Sequence, residues 1–306
     1  MNTTPSFTHT LRQRWQAADS MLCVGLDPDP ARIPAHLGTG PEAIDRFCRD
    51  IIAATADTVC AFKPQIAYFA ALGAEDVLAG LIAHIHAEHP GIPVILDAKR
   101  GDIGSTARQY GVEAFDRFKA DALTLSPFMG FDSIEPYFEW AGRGLILLCR
   151  TSNPGGNDLQ ALSVLPAGDA TGTPSGAPSP RQSASDTASS TQPEKLYEHL
   201  ARLAAGPWNV NGELGLVVGA TFPDELARVR TLAPRLPLLV PGVGAQGGDV
   251  NATVRAGLDA DGYGLVINSS RAILYAGKGT DFADQARKAA VATRDAIRAA
   301  RNAARA

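Results

Sequence analysis

Two carboxylates and a lysine fall within six residues in Asp97-Ala98-Lys99-Arg100-Gly101-Asp102, directly after the apolar run Pro93-Val94-Ile95-Leu96. On a strand, side chains two apart share a face, so Asp97 and Lys99 should point the same way, with Asp102 set just beyond by a glycine-assisted turn. Lys63 closes a second apolar stretch in Phe62-Lys63-Pro64-Gln65, and an adjacent parallel strand would bring its ammonium toward Asp97. Neighbouring carboxylates resist joint ionisation, whereas interleaved lysines keep them charged and stay protonated themselves. Such an array suits chemistry in which charge develops on carbon beside a proton donor. A structural ion network at a strand end is the competing reading of the same residues.

A second group of residues could hold a phosphate-sized anion. Pro241-Gly242-Val243-Gly244-Ala245-Gln246-Gly247-Gly248 and Asn268-Ser269-Ser270-Arg271 each follow a short apolar run. Glycines permit close backbone approach, N–H groups at a following helix start bind anions, and Arg271 could contact phosphate in bidentate fashion.

The elements that must position these residues follow from the apolar pattern. Eight strands are expected, at Leu22–Asp27, Val59–Lys63, Val94–Lys99, Ala122–Leu125, Leu145–Cys149, Leu214–Gly219, Leu238–Val240 and Leu265–Asn268. Helical patterns lie between most of them, at Glu42–Thr55, Ala74–His86, Ile103–Phe118, a short Ser133–Glu139, Leu196–Ala205, Pro223–Leu232 and Asp249–Ala256, with Asp281–Ala299 closing the series. Near-continuously apolar strands alternating with helices predict a parallel sheet buried on both faces. Eight such units in 306 residues predict an α/β fold of the (β/α)8 or TIM-barrel type, a single domain over residues 1–306. A doubly wound sheet is the competing architecture. The polar residues favour the barrel: Asp27, Lys63, Asp97, Lys99, Ser126, Thr151-Ser152, Gln246 and Ser269-Ser270-Arg271 all fall at strand C-terminal ends, which converge on one mouth in a barrel.

One segment breaks the pattern. Pro166 to Pro193 has no Val, Ile, Leu, Met or aromatic residue, too little apolar surface to offset its ordering entropy, and reads as a disordered insertion after the fifth strand. It should project from the rim that carries the site, as a tolerated surface insertion or as a gate.

Composition narrows the partners. A formal charge of −4 leaves no broad basic surface for nucleic acid and no polybasic membrane anchor. The N-terminus lacks the basic-then-apolar pattern of a secretory signal, and no stretch is long and apolar enough to span a bilayer, so a soluble, cytoplasmic protein is expected. Cys23, Cys48, Cys60 and Cys149 are widely spaced, three of them in apolar segments, and read as buried reduced thiols. His84, His86 and His89 cluster on one helix with no carboxylate to complete a metal set, and read as a solvated helix end.

The blocks Phe62–Gln65, Leu96–Ala107, Gly130–Pro136, Thr151-Ser152-Asn153-Pro154-Gly155 and Pro241–Gly248 resemble, in kind and order, those of the orotidine 5′-phosphate decarboxylase family, in its longer bacterial form. The likeness runs from about Met21 to Tyr275; the aspartate/lysine block is its most specific part, while the glycine loop is common to many phosphate-binding barrels.

The resemblance implies conversion of orotidine 5′-phosphate to uridine 5′-phosphate and CO2, the last step of pyrimidine nucleotide synthesis, without metal or organic cofactor. By position, Lys99 matches the proton donor to C6, and Asp97 lies where the substrate carboxylate would approach. Lys63 matches the lysine that bridges the network and contacts the ribose, and Asp27 a ribose-hydroxyl acceptor. Ser152 matches the serine that reads the pyrimidine edge, with Asn153 where shorter members often carry histidine. Gln246 and Arg271 match phosphate contacts. Asp102, Ile103 and Thr106 match residues that reach into a neighbouring subunit's site, which implies a homodimer with composite sites.

Three rival chemistries fit parts of the pattern. A barrel resembling 3-hexulose-6-phosphate synthase would use a similar aspartate/lysine arrangement for metal-assisted enediolate chemistry. A Schiff-base aldolase would need Lys99 neutral, which flanking Asp97 and Asp102 disfavour. An inert nucleotide-binding barrel could keep the phosphate loops alone.

Overall fold

A computed structural model describes residues 6–165, 192–243 and 249–305. Its strands are β1 (Leu22–Leu26), β2 (Ala61–Pro64), β3 (Ile95–Arg100), β4 (Ala122–Leu125), β5 (Gly144–Arg150), β6 (Ser163–Val164), β7 (Glu194–Lys195), β8 (Leu214–Val218), β9 (Leu238–Pro241) and β10 (Leu265–Ser269). Eight of them form one sheet in the order β2-β1-β10-β9-β8-β5-β4-β3, every paired neighbour parallel. The bridges Phe62 to Val94 and Gln65 to Asp97 join β2 to β3, bringing the two ends of the sheet together as a nearly closed barrel. All eight expected strands are present, and the doubly wound alternative is set aside.

The connections supply the outer ring. In the helix Gly40–Thr55, Pro41 sits in the first turn, where its missing N–H costs nothing, and Ile44, Phe47, Cys48, Ile51 and Ile52 recur at helical spacing on the buried face. Two expected helices take tighter or wider forms. Ser133–Glu139 resolves into 3-10 turns at Phe131–Ser133 and Glu135–Glu139, where Pro136 removes a donor and fixes its own backbone. The helix expected through Phe118 is α-helical over Gly104–Gly111 and continues as a π-helix over Val112–Arg117.

A helix that the apolar pattern did not single out closes the end of the barrel opposite the mouth. Ser6 caps Phe7–Ala18, whose Phe7, Leu11 and Trp15, spaced four apart, are all buried. The Phe7 N–H donates to Gly142 O at 2.9 Å, and Glu213, just before β8, accepts from the Ser6 hydroxyl and the Thr8 N–H. Gly144 at the start of β5 is needed here, since a Cβ would lie 2.2 Å from the Phe7 ring.

β6 and β7 pair antiparallel and bring together the two ends of the insertion, a join extended by Leu196 N–H to Leu162 O at 2.9 Å. The insertion expected to be disordered, 166–193, lies outside the described residues apart from Gln192 and Pro193. All four cysteines are buried and unbridged, and burial pushes the Cys23 thiol up to about 12. His86 pairs with Asp121 at 2.9 Å, and among the described residues no three His, Cys, Asp or Glu side chains form a metal cluster. Nor, among them, is any helix long and apolar enough to cross a membrane.

Candidate active site

The strand C-terminal ends surround a cavity of about 530 Å³ whose lining includes Lys63, Asp97, Lys99, Thr124 and Ser152. Asp97 is its electrostatic centre. Lys63 Nζ donates to Asp97 Oδ2 at 2.8 Å, Lys99 Nζ to Oδ1 at 2.6 Å, and the Thr124 hydroxyl to Oδ1 at 2.9 Å. Lys63 is 4% exposed and Asp97 8%, so this pair is held out of water. Burial alone would push the Asp97 carboxyl up, but the Lys63 and Lys99 ammoniums and their hydrogen bonds outweigh it and hold the group well below the usual carboxylate range. Lys63 is the mirror case: burial would lower it, and the charges of Asp97 and Asp27 carry it above the ordinary lysine value.

Lys99 reaches Asp97 by a route that simple strand alternation does not describe. The register of β3 against β4 slips between Leu96 and Arg100, and Lys99 itself adopts φ +48°, a left-handed conformation costly for a side chain with a Cβ. The backbone N–H groups of Ala98 and Lys99 donate to Thr124 Oγ1 at 3.0 and 2.9 Å, which holds the irregular segment. Arg100 turns away and pairs with Glu113, fixing the following helix to β3.

The other end of the motif diverges. Asp102 has φ +76° and is exposed, its carboxylate accepting only from the N–H of Ile103 among the described residues at 2.8 Å. Ile103 is 49% exposed and Thr106 is exposed too, so within one chain these three side chains lie apart from the Lys63, Asp97 and Lys99 group.

Asp27 follows β1 and accepts from Ser270 Oγ at 2.5 Å, while its second oxygen is buried with no hydrogen-bond partner among the described residues. The Tyr275 hydroxyl donates to Asp27 O at 2.9 Å and accepts from Asp29 N–H at 2.6 Å, setting the Asp27 loop against the segment after β10. Arg271, next to Ser270, opens a short helix and is exposed. Of the glycine loop after β9, Gly242 and Val243 are described, whereas Gln246 lies outside the described residues. Asp249 then caps the helix Val250–Gly257.

The sequence did not show the roles of five residues. Thr124 is the one hydroxyl in an otherwise apolar strand, a signal that could have found it. Ser270 lay in the segment read for phosphate and instead contacts Asp27. Arg150, 1% exposed, pairs with Glu225 at 2.5 Å, and Gln160 Oε1 accepts from Thr151 N–H at 2.8 Å, so both brace the loop that carries Ser152. Gly219 lets that loop pass: a Cβ there would lie 2.7 Å from the Ser152 backbone.

Comparison with known proteins gives the family of this fold. Residues 20–171 match the model of the orotidine 5′-phosphate decarboxylase / HUMPS family. The chain is 62% identical over 295 residues to the orotidine 5′-phosphate decarboxylase of Azoarcus sp. (strain BH72), covering 96% of this chain and 99% of the relative. It is 61% identical over 291 residues to the enzyme of the same name from Aromatoleum aromaticum, covering 95% of this chain and 98% of that one. The structure of Leishmania donovani OMP decarboxylase superposes with a TM-score of 0.76 at 40% identity, over 97% of this chain and 99% of that one. With the aspartate/lysine array at the mouth of a nearly closed barrel and relatives matched along almost their whole length, this chain belongs to the orotidine 5′-phosphate decarboxylase family of enzymes.

Proposed function

We propose that the protein decarboxylates orotidine 5′-phosphate to uridine 5′-phosphate and CO2, without metal or organic cofactor, as a cytoplasmic homodimer. The observation that carries this reading is the buried Asp97 carboxylate held between two ammoniums on the wall of a nucleotide-sized cavity.

In the reaction the C6–carboxylate bond breaks and its electron pair stays on C6. Lys99 supplies the proton, its N–H bond breaking as the C6–H bond forms, and the resulting amine recovers a proton from solvent. The ammonium charge beside C6 also stabilises the developing carbanion before transfer, the term that a preorganised, water-poor site makes large. Asp97 orients Lys99 and lies where the substrate carboxylate approaches; Lys63 holds Asp97 and contacts the ribose. Asp27, one buried oxygen of which has no donor among the described residues, accepts from a ribose hydroxyl. Ser152 reads the pyrimidine edge, and Gln246 and Arg271 hold the phosphate, whose binding energy helps assemble the site. The exposed Asp102, Ile103 and Thr106 serve the partner subunit's site, so the dimer carries two composite sites.

A metal-assisted enediolate reaction is the alternative within the same family model, which spans both branches. The donor set argues against it: Asp97 already accepts from two ammoniums and a hydroxyl, and those ammoniums would repel a bound cation. The deciding experiment follows the ultraviolet absorbance of orotidine 5′-phosphate with and without a chelator. Loss of substrate at equal rates is expected; no loss, or loss abolished by the chelator, would overturn the proposal.

A further inference from the structure

Thr124 sits on β4 with 1% of its surface exposed and lines the same cavity as the lysines. A threonine hydroxyl offers one proton and two lone pairs. The N–H groups of Ala98 and Lys99, at 3.0 and 2.9 Å, occupy the acceptor side of Oγ1, which commits its proton to Asp97 Oδ1 at 2.9 Å. This hydroxyl therefore cannot turn without losing several bonds at once. It touches both components of the array, the Asp97 carboxylate and the left-handed backbone from which Lys99 projects.

We propose that Thr124 is a positioning residue for decarboxylation: it holds Asp97 and the Lys99 backbone in place while the Lys99 ammonium turns from Asp97 to deliver its proton. The inference rests on the decarboxylase reading above. Lys63 secures one oxygen of Asp97, whereas the other is shared by Lys99 and Thr124. When Lys99 gives up its proton, its charge leaves that oxygen, and Thr124 remains as the donor that keeps the carboxylate from rotating. The transfer itself is unchanged: one N–H bond of Lys99 breaks, one C6–H bond forms, and neither Asp97 nor Thr124 changes protonation.

Thr124→Val removes the hydroxyl at nearly constant shape, and Thr124→Ser restores it without the methyl. Turnover of orotidine 5′-phosphate, KM, affinity for uridine 5′-phosphate and melting temperature are measured for both variants and the unaltered protein. Loss of a hydrogen bond to a charged group predicts a fall in kcat of about 10- to 100-fold for Thr124→Val. KM and product affinity should stay close to the unaltered values, and Thr124→Ser should recover most of kcat.

Near-native kcat in Thr124→Val, equal loss in both variants, or product affinity falling in step with kcat would overturn the inference, since these outcomes mean no role, a packing role or a damaged cavity. The valine leaves two backbone N–H groups without an acceptor. If it does not fold, Thr124→Cys, with a thiol that is weak as donor and acceptor, takes its place under the same criteria. An unaltered protein that does not consume orotidine 5′-phosphate overturns the decarboxylase reading and the inference together, whereas normal turnover with indifferent variants overturns the inference alone.

Discussion

Replacing Asp97 with asparagine removes one charge and leaves the Lys63 ammonium buried beside a neutral amide. Removing one partner of a buried ion pair costs about 3–5 kcal/mol, because the remaining charge has no compensation. Lys63 is 4% exposed and bonds Asp97 at 2.8 Å, so it falls in that class, while Lys99, with 46% of its side chain exposed, adds little. An asparagine oxygen still accepts one hydrogen bond, which sets the expectation at the lower end, about 3 kcal/mol at pH 7.

The sign of the pH dependence separates this account from a packing defect. In the native chain Lys63 lies above its ordinary value, so its contribution is fully present below the unfolded lysine value and is lost only as pH rises through the raised one. Burial is the largest single influence on Lys63 and Asp27 the lesser of the two opposing carboxylates, so in Asp97→Asn the folded value should drop below that of the unfolded chain. The unfolded chain then binds more protons across that window, so the variant should gain stability with rising pH, by at most about 1.4 kcal/mol per pH unit. Urea unfolding of both proteins at pH 7 and pH 9.5, compared as a difference, measures this. A variant within about 1 kcal/mol of native at pH 7, or a gap that does not narrow with pH, would refute the reasoning.

Other substitutions probe other parts of the site. Arg271→Ala should weaken binding of uridine 5′-phosphate by about 10- to 100-fold while leaving uridine unaffected; unchanged nucleotide affinity by calorimetry would remove it from the phosphate site. Gly219→Ala puts a Cβ 2.7 Å from the Ser152 backbone and should raise KM by about tenfold or more as the loop shifts, with no change in KM contradicting the assigned position of Ser152. Replacing 166–191 with a short glycine-serine link should leave kcat unchanged, because β6 and β7 already pair at the base of the insertion. A large loss of rate in that folded deletion variant would make the segment part of the machinery.

The sequence made the barrel legible because each strand is a short apolar run between polar ends, and burial on both faces leaves few other patterns. The helix Phe7–Ala18 went unread because only its three buried residues, spaced four apart, face the barrel among polar neighbours.

At the site, pairing of Lys63, Asp97 and Lys99 followed from residue type and strand neighbourhood. Its geometry did not, because alternation assumes a regular strand and β3 slips its register between Leu96 and Arg100. Thr124 and Ser270 make contacts with residues far away in sequence, which leave no local spacing to read, although a lone hydroxyl in an apolar strand marks Thr124.

The most direct test of the central claim is the turnover of Lys99→Ala set beside its affinity for uridine 5′-phosphate. Lys99 has 46% of its side chain exposed, so the variant should fold, and it should bind product while forming none from orotidine 5′-phosphate. Near-native turnover by Lys99→Ala would contradict the account.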